Sequence, residues 1–321
     1  MEKSKYIKIG NARELLGQPE YKLYRFFEIL PGALAWLTLL GVIFLSRFSP
    51  VGIAFFIIAF DIYWLLKTVF LSFHLRAAWA QIKKNMKVDW LEKLKEDTSK
   101  NDWEKIYHLV ILPMYKESFE VVSTTFDSLL QVNYPQDKII VALGIEERAG
   151  EEAVKVAKRI EAKYSRYFFR FIVTVHPSDI PGEIAGKGSN ETWIGQQVKE
   201  KLIDKLAIPY QDIIVSVFDI DSVFYPDYFS RLTYVFLETP DRCRCSFQPV
   251  PIFNNNIWDA PSFSRVVAQS GTFWHMMQQE RPERLATFSS HSMSFAAIVE
   301  MNWWSTKNVS EDSRIFWQAL L

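Results

Sequence analysis

The chain has 321 residues, enough for about two domains of ordinary size. Its 37 Lys and Arg residues balance its 37 Asp and Glu residues, and without a basic excess the chain is not expected to bind nucleic acid. With 49% apolar and 15% aromatic residues, the composition also excludes an intrinsically disordered protein.

Two apolar stretches lie near the N-terminus. Residues 30–45 carry no charge, and residues 51–73 carry only Asp61 and Lys67. A helix needs about 20 mainly apolar residues to cross a bilayer. The second stretch meets this length, and the first does so when Phe26 and Phe27 are included. The sequence therefore predicts two transmembrane helices within residues 26–75.

The basic residues around these stretches predict their orientation. Only Arg47 lies between the two stretches, whereas several basic residues flank them on the outer sides: Lys3, Lys5, Lys8, Arg13, Lys22, Arg25, Arg76, Lys83, Lys84 and Lys87. The positive-inside rule then places both flanks in the cytoplasm. We expect residues 1–25 to be a cytoplasmic segment, and the protein to be a multi-pass protein of the inner cell membrane.

Residues 76–105 are charged, with Trp79, Trp90 and Leu94 spaced along them. This pattern predicts an amphipathic helix on the membrane surface followed by a linker. From residue 106 to 321, apolar runs alternate with helical patterns, which predicts an α/β fold with an open, mostly parallel sheet and helices on both faces. The predicted strands are 106–113, 138–145, 166–175, 212–220 and 243–253, and the predicted helices are 118–131, 150–164 and 189–206.

Two carboxylates, Asp219 and Asp221, lie at the end of the fourth predicted strand in a D-x-D pattern. Carboxylates at the end of an apolar strand are costly unless water or a cation solvates them. Mg²⁺ or Mn²⁺ prefers oxygen ligands and bridges to phosphates, so this pair indicates a cation held on a diphosphate. A plain surface loop is the alternative interpretation of the pattern.

Two further segments carry residue types suited to chemistry. Gly186, Lys187 and Gly188 precede a predicted helix. A flexible backbone, a cation and a helix N-terminus all suit the binding of a phosphate. An ordinary turn before a helix would use the same residues. Near the C-terminus, Ser310 is the expected N-cap of another predicted helix, and Glu311 and Asp312 in its first turn would have a structural role there. A carboxylate there could serve as a general base toward a hydroxyl group.

The order of these pieces resembles that of the membrane-bound family-2 inverting glycosyltransferases of GT-A fold, which include cellulose and hyaluronan synthases. The resemblance covers residues 106–321. It rests on a P-x-Y-x-E motif, a G-K-x-x-N motif, the D-x-D pair and an E-D pair, formed by Pro113, Tyr115, Glu117, Gly186, Lys187, Asn190, Asp219, Asp221, Glu311 and Asp312.

The resemblance implies transfer of a sugar from a nucleotide donor, expected to be a UDP-sugar, to a hydroxyl of a glycan or a lipid-linked acceptor. It implies that Pro113, Tyr115 and Glu117 line the nucleotide pocket and that Lys187 approaches the diphosphate. Asp221, with Asp219, would hold Mg²⁺ or Mn²⁺, and Asp219 would also face the nucleotide-sugar. Asp312 would be the base, and Glu311 would shape the acceptor end.

On the acceptor side, the resemblance and the types of residue present indicate Gln248, Trp258, Ser290 and His291, although loop packing or a satisfied polar position at a strand start would explain them equally. The Asp that the family usually carries after its second strand is missing, and Glu146 is its expected substitute at the nucleotide. The family's Q-x-x-R-W motif is also missing, and we expect a C-terminal truncation. A catalytically inactive binding or regulatory protein is the alternative, and a transporter subunit using Asp61 and Lys67 is less expected.

Overall fold

The computed structural model of the chain describes residues 9–255, 257–281 and 285–320. Among these residues the strands are β1 (Tyr107–Met114), β2 (Ile139–Glu146), β3 (Arg170–His176), β4 (Ile213–Val217), β5 (Ser246–Phe247) and β6 (His291–Ser294). The helices are α1 (Glu20–Leu45), α2 (Pro50–Asn85), α3 (Trp90–Glu96), α4 (Phe119–Leu129), α5 (Glu151–Tyr164), α6 (Lys187–Val198), α7 (Tyr228–Glu238), α8 (Ser262–Gln278), α9 (Phe295–Glu300) and α10 (Glu311–Leu320).

The two predicted apolar helices are present as α1 and α2. Both are long and apolar enough to cross a membrane, as judged by length and composition alone, and their apolar stretches are exposed on the surface. Proline lies at the first turn of α2, where its missing N–H group costs nothing. At 1.5 Å per residue, the 36 residues of α2 extend about 54 Å, which exceeds the ~30 Å hydrocarbon core of a bilayer.

The structure differs from the prediction over residues 76–105. Instead of one amphipathic helix, the first ten residues continue α2 and residues 90–96 form α3, which begins after the N-cap Asp89. The apolar side chains of α3, Trp90 and Leu94, are buried in the core of the α/β part rather than turned toward a membrane, and the Trp90 ring lies 5.3 Å from that of Tyr234. The same i, i+4 spacing suits either surface, so the pattern alone did not decide between them.

The α/β part contains one six-stranded sheet in the order β3-β2-β1-β4-β6-β5. The first four strands are parallel, while β6 pairs antiparallel with β4, and β5 antiparallel with β6. The predicted class is confirmed: an α/β fold with an open, mostly parallel sheet, helices on both faces and a preceding hairpin of two apolar helices.

Three of the predicted strands are wrong in extent. The fourth, predicted over 212–220, spans only Ile213–Val217. The third begins at Arg170, because Ser165–Tyr167 form a 3-10 turn. The fifth, predicted over 243–253, contracts to Ser246–Phe247. Pro249 and Pro251 follow it, and proline has no N–H group to donate to a neighbouring strand. Strand β6 was not predicted, since its sequence H-S-M-S contains no apolar run.

The central strands are buried on both faces, and their side chains alternate between two cores. On β1, Val110, Leu112 and Met114 pack under α3, α4 and α5, whereas Leu109 and Ile111 pack under α6 and the C-terminal segment. Continuous apolar runs in β1, β2 and β4 thus build both cores at once. This arrangement fixes the carboxyl ends of the three strands side by side at one edge of the sheet.

The segment before α1 lies against the C-terminal part of the chain. Ala12 and Leu15 are buried, and Glu14 forms an ion pair with Lys307 at 2.8 Å. The backbone carbonyl of Ile9 accepts a hydrogen bond of 3.2 Å from the Arg314 guanidinium. The start of the described chain is therefore held beside α10.

Candidate active site

A cleft of about 760 Å³ opens at the carboxyl ends of β1, β2 and β4. Open α/β sheets bind ligands at this edge. Seven residues that the sequence singled out for the donor or the metal line this cleft together: Pro113, Tyr115, Glu117, Glu146, Lys187, Asp219 and Asp221. Residues from four separate segments therefore meet where the topology predicts a binding site.

Lys187 and Asp219 form the central ion pair of the cleft. The Lys187 ammonium lies 2.6 Å from Oδ1 of Asp219 and 3.7 Å from the buried Glu191 carboxylate. Burial alone would lower the pKa of Lys187, but the carboxylates of Glu191 and Asp219 outweigh it and raise this pKa. Burial alone would raise the pKa of Asp219, yet Lys187 holds it below its usual range. Both groups are therefore charged at neutral pH.

Ser289 links the two carboxylates that the sequence assigned to different roles. Its hydroxyl donates to Oδ2 of Asp219 at 2.5 Å, and its backbone N–H donates to Oδ2 of Asp312 at 2.7 Å. Its carbonyl accepts from the Lys187 ammonium at 3.3 Å. The residue has a left-handed backbone with φ of 45°, a conformation unfavourable for a serine and retained only where surrounding contacts hold it.

Asp312 and Glu311 begin α10, directly after Ser310, as the sequence predicted. The start of α10 lies against the start of α6, where a Cβ at Gly188 would come within 2.7 Å of the Glu311 Cβ. Glu311 is buried, and burial raises its pKa. Asp312 instead keeps its carboxylate oxygens in hydrogen bonds to the backbone N–H groups of Ser289 and Ser313. Two backbone N–H groups thus hold the Asp312 carboxylate in place.

The opposite wall of the cleft contains Tyr115, Glu117, Glu146 and Arg148. Arg148 forms an ion pair with Glu146, and its guanidinium lies 4.9 Å from the centre of the Tyr115 ring. The Glu117 carboxylate accepts a 2.7 Å hydrogen bond from the backbone N–H of Tyr115, which ties the end of β1 to the start of α4. This wall offers an aromatic face, a cation and carboxylates, a combination suited to a nucleoside.

The two carboxylates assigned to a metal, Asp221 and Asp219, differ in the contacts that their oxygens make. Asp221 is exposed in the cleft, and its backbone carbonyl, not its carboxylate, is held by Asn255 at 3.0 Å. Burial and the neighbouring Asp219 raise the pKa of Asp221, as expected where a cation would offset the charge. Both Asp219 oxygens already contact Lys187 or Ser289. Within the described residues, no cluster of three or more His, Cys, Asp or Glu forms a preassembled metal site.

The residues assigned to the acceptor side lie outside the lining of the cleft. Gln248 is buried and fastens the loop before β6, donating to the carbonyls of Phe288 and Ser290 at 3.1 and 3.0 Å. His291 begins β6, where it is buried and accepts from the Trp304 indole at 3.0 Å. Burial lowers the pKa of His291 to about 4, so the ring is neutral. Trp258 is 80% exposed. Their roles toward an acceptor stay predictions.

Three residues of the site were missed as functional candidates. Arg148 lies two residues after Glu146 at the carboxyl end of a strand, a position that indicates a candidate binding residue. Ser289 was overlooked beside Ser290, because its role depends on tertiary contacts. Glu191 is fully buried with no hydrogen-bond partner for either carboxylate oxygen, and burial raises its pKa well above the usual range. Glu191 lies one helical turn after Lys187 on α6, and this i, i+4 spacing was the only signal in the sequence that the two side chains meet.

No protein-family model matches the sequence. No curated protein matches it either. Among solved structures, similar folds include the mannosyltransferase PcManGT from Pyrobaculum calidifontis in complex with GDP-Man and Mn²⁺, at 13% identity and a TM-score of 0.45, covering 76% of this chain and 62% of that one. TarS residues 1–349 from S. aureus give 11% identity and a TM-score of 0.38, covering 67% and 55%. Mouse xyloside xylosyltransferase 1 gives 10% and 0.31, covering 67% and 81%.

The chain thus spans less than two thirds of the length of the mannosyltransferase and of TarS residues 1–349. With TM-scores below 0.5, these similarities carry no functional argument. The structural neighbours named are glycosyltransferases.

Proposed function

We propose that the chain is a family-2-like glycosyltransferase that moves a sugar from a nucleoside diphosphate donor to an acceptor hydroxyl, with inversion. The observation that carries the proposal is the link through Ser289 between Asp219, Lys187 and Asp312. The backbone carbonyl of Ser289 accepts from Lys187, a cation suited to a diphosphate, and its backbone N–H donates to Asp312, a carboxylate suited to act as a base. Such a reaction needs both groups at a short, fixed separation.

In the proposed reaction, Asp312 accepts the proton of the acceptor hydroxyl as that oxygen forms a bond to the anomeric carbon. The bond between this carbon and the β-phosphate oxygen breaks, and the nucleoside diphosphate leaves with the electron pair. Attack from the face opposite the leaving group inverts the anomeric configuration. Lys187 stabilises the charge that develops on the diphosphate, a contribution that is typically large in such sites.

Asp221 is the residue that would hold Mg²⁺ or Mn²⁺, and the ion would supply Lewis-acid stabilisation of the leaving diphosphate. Binding such ions through one or two carboxylates together with substrate phosphates is common, so the absence of a three-residue cluster in the described chain does not conflict with this. Tyr115, Glu146 and Arg148 form the wall that would contact the nucleoside, for which we favour uridine.

The further parts of the proposal concern location and substrate. We place α1 and α2 across the inner membrane, with the cleft in the cytoplasm, and infer an acceptor that is a glycan or a lipid-linked intermediate of cell-envelope synthesis. The exposed apolar surfaces of both helices support the anchoring, since such surfaces are unfavourable in water.

Calorimetric titration of the full chain in detergent tests the donor site. UDP, GDP and ADP are titrated with Mn²⁺, with Mg²⁺ and with chelator. We expect metal-dependent binding of one diphosphate, weakened at least about tenfold in Asp221→Asn, because the substitution removes one charged ligand. Asp137→Asn is the matched control, since Asp137 is exposed before β2, at the opposite end of that strand from the cleft.

If no diphosphate binds to the folded protein, or if Asp137→Asn weakens binding as much as Asp221→Asn, the proposed donor site is wrong. Release of the diphosphate from the matching nucleotide-sugar, lost in Asp312→Asn while nucleotide binding persists, would support the assignment of the base. Binding without any release of product from a range of acceptors would favour the inactive binding protein.

A further inference from the structure

Helix α8 has an unusual distribution of apolar side chains. Its inner face contains the buried Thr272, His275 and Met276. Its outer face is also apolar, and five of its large side chains are exposed there: Phe263, Val266, Val267, Phe273 and Trp274. Their spacing of three, four, ten and eleven residues from the first places them on one side of the helix.

The outer face is too large to be incidental. Phe263 is 78% exposed and Val266 is 64% exposed, and the segment before the helix adds Trp258 at 80% and Ile252 at 60%. Single exposed apolar residues are common on proteins, but a contiguous stripe of aromatic and branched side chains marks a surface that something covers. The helix contains no acidic residue and only one arginine, Arg265.

The position of α8 indicates what covers it. It packs against α2, whose only buried residue is Ala78. From Pro50 to Ala78 the helix rises about 42 Å at 1.5 Å per residue, and a bilayer including its headgroups is about 40–45 Å thick. If α2 spans from Pro50, Ala78, the residue of α2 that is buried against the protein, therefore lies at headgroup level.

We propose that α8 lies in the interface of a lipid bilayer, with its outer face in the headgroup and upper acyl region. The inference rests on the membrane anchoring proposed above for α1 and α2. Lipid is favoured over a second copy of the chain because α8 packs against α2, whose exposed apolar surface would itself be surrounded by lipid. Aromatic side chains such as Trp274 are those that concentrate at this depth.

This placement would also fix the height of the cleft above the membrane. The segment before α8 is fastened to α8 where Thr272 donates to the Pro251 carbonyl at 2.9 Å. The same segment reaches the cleft, where Asn255 donates to the Asp221 carbonyl at 3.0 Å. Lipid contact at α8 would therefore position residues 251–255, the segment that also contacts the D-x-D turn.

The test uses the full chain in phospholipid vesicles, with both native cysteines, Cys243 and Cys245, replaced by serine. Single cysteines at Val267, Leu40 and Lys158 are labelled with an environment-sensitive nitrobenzoxadiazole dye. Val267 reports on the outer face of α8, Leu40 on α1, and Lys158 on the exposed side of α5. Vesicles with and without spin-labelled lipids measure whether lipid chains touch each dye.

We expect the dyes at Val267 and Leu40 to emit at shorter wavelength and to lose intensity with the spin-labelled lipids, while the dye at Lys158 does neither. A dye at Val267 that behaves like the one at Lys158, with Leu40 still quenched, would overturn the placement of α8 and leave the anchor intact. A dye at Val267 that is shifted but not quenched, and that crosslinks between chains, would assign the face to a second copy. An unquenched dye at Leu40 would overturn the anchor and with it the placement of α8.

Discussion

Gly144 is the position where the packing of α6 is most sensitive to one added carbon. It lies in β2, and a Cβ there would come within 2.2 Å of the Ile194 Cδ1 and 2.9 Å of the Asn190 Oδ1. Comfortable contacts between carbon atoms lie near 3.5–4.0 Å, so Ile194 would have to retreat by more than 1 Å. Because α6 also carries Lys187, the displacement reaches the candidate active site.

The expected cost of Gly144→Ala follows from two opposing effects. Overpacking a close-packed core costs about 1–3 kcal/mol, while replacing glycine by alanine restricts the unfolded chain and returns about 0.4–1 kcal/mol. We therefore expect the free energy of unfolding to fall by about 1–2 kcal/mol. Nucleotide affinity should fall as well, because Asn190 lines the cleft and donates to the Gly144 carbonyl at 3.1 Å.

Thermal unfolding and nucleotide titration of the full chain in detergent measure both effects. Gly271→Ala is the matched control, because its Cβ would lie an ordinary 3.6 Å from Phe253 within a helix. We expect that control to be neutral or slightly stabilised. Combining Gly144→Ala with Ile194→Ala should cost less than the sum of the two single losses, since both clashing atoms of Ile194, Cδ1 at 2.2 Å and Cγ1 at 2.3 Å, are removed. Equal stability of Gly144→Ala and Gly271→Ala, or strictly additive losses in the double variant, would refute the packing argument.

Three further outcomes are expected. The free energy of unfolding of Ser289→Gly should exceed that of Ser289→Ala by about 1 kcal/mol, because glycine tolerates the left-handed backbone. Both variants should weaken nucleotide binding by freeing Asp219. Burial lowers the pKa of His108 from 6.5 to about 3, so between these pH values the unfolded chain binds one more proton than the folded chain. The free energy of unfolding therefore rises with pH in this range, and His108→Phe should reduce that rise by up to about 1.4 kcal/mol per pH unit. Arg148→Ala should weaken binding of a nucleoside and of its diphosphate by similar factors, because the contact with Tyr115 concerns the base end.

Each of these expectations has its own contrary result in the same measurements. A glycine variant of Ser289 no more stable than the alanine variant would mean that the left-handed conformation carries no strain. An unchanged slope of stability against pH in His108→Phe would show that this histidine does not titrate differently on unfolding. Loss of diphosphate binding alone in Arg148→Ala would move this guanidinium from the nucleoside to the phosphates.

The sheet centre and one side of the cleft could be predicted because both follow from local patterns. Apolar runs identified β1, β2 and β4, and the rule that ligands bind at strand ends then selected Asp219 and Asp221, whereas Glu146 was selected only through the family resemblance. Strand β6 was not predicted because its polar residues form hydrogen bonds with partners distant in the chain, as in the 2.7 Å contact between the Ser216 and Ser292 hydroxyls. That contact depends on a register that no local pattern encodes.

The base side of the site was predictable only in part. Ser310, Glu311 and Asp312 indicate a helix start, and α10 does begin there. Nothing in the sequence indicates that Ser289 takes a left-handed conformation or bonds to Asp219 and Asp312, since these contacts span 70 and 23 residues. Likewise, the pattern of Trp90 and Leu94 fits a membrane surface and a protein core equally, and the tertiary structure selected the core.

The contact of the N-terminal segment with α10 has a consequence for the order in which the protein assembles. The hydrogen bond from Arg314 to Ile9 joins residues 305 positions apart, so it can form only when almost all of the described chain has been synthesised. Contacts of such long range bear the largest loop-closure cost and are slow to form. The helix that carries Asp312 is therefore expected to be fastened late, after the sheet and the residues around Lys187 are already in place.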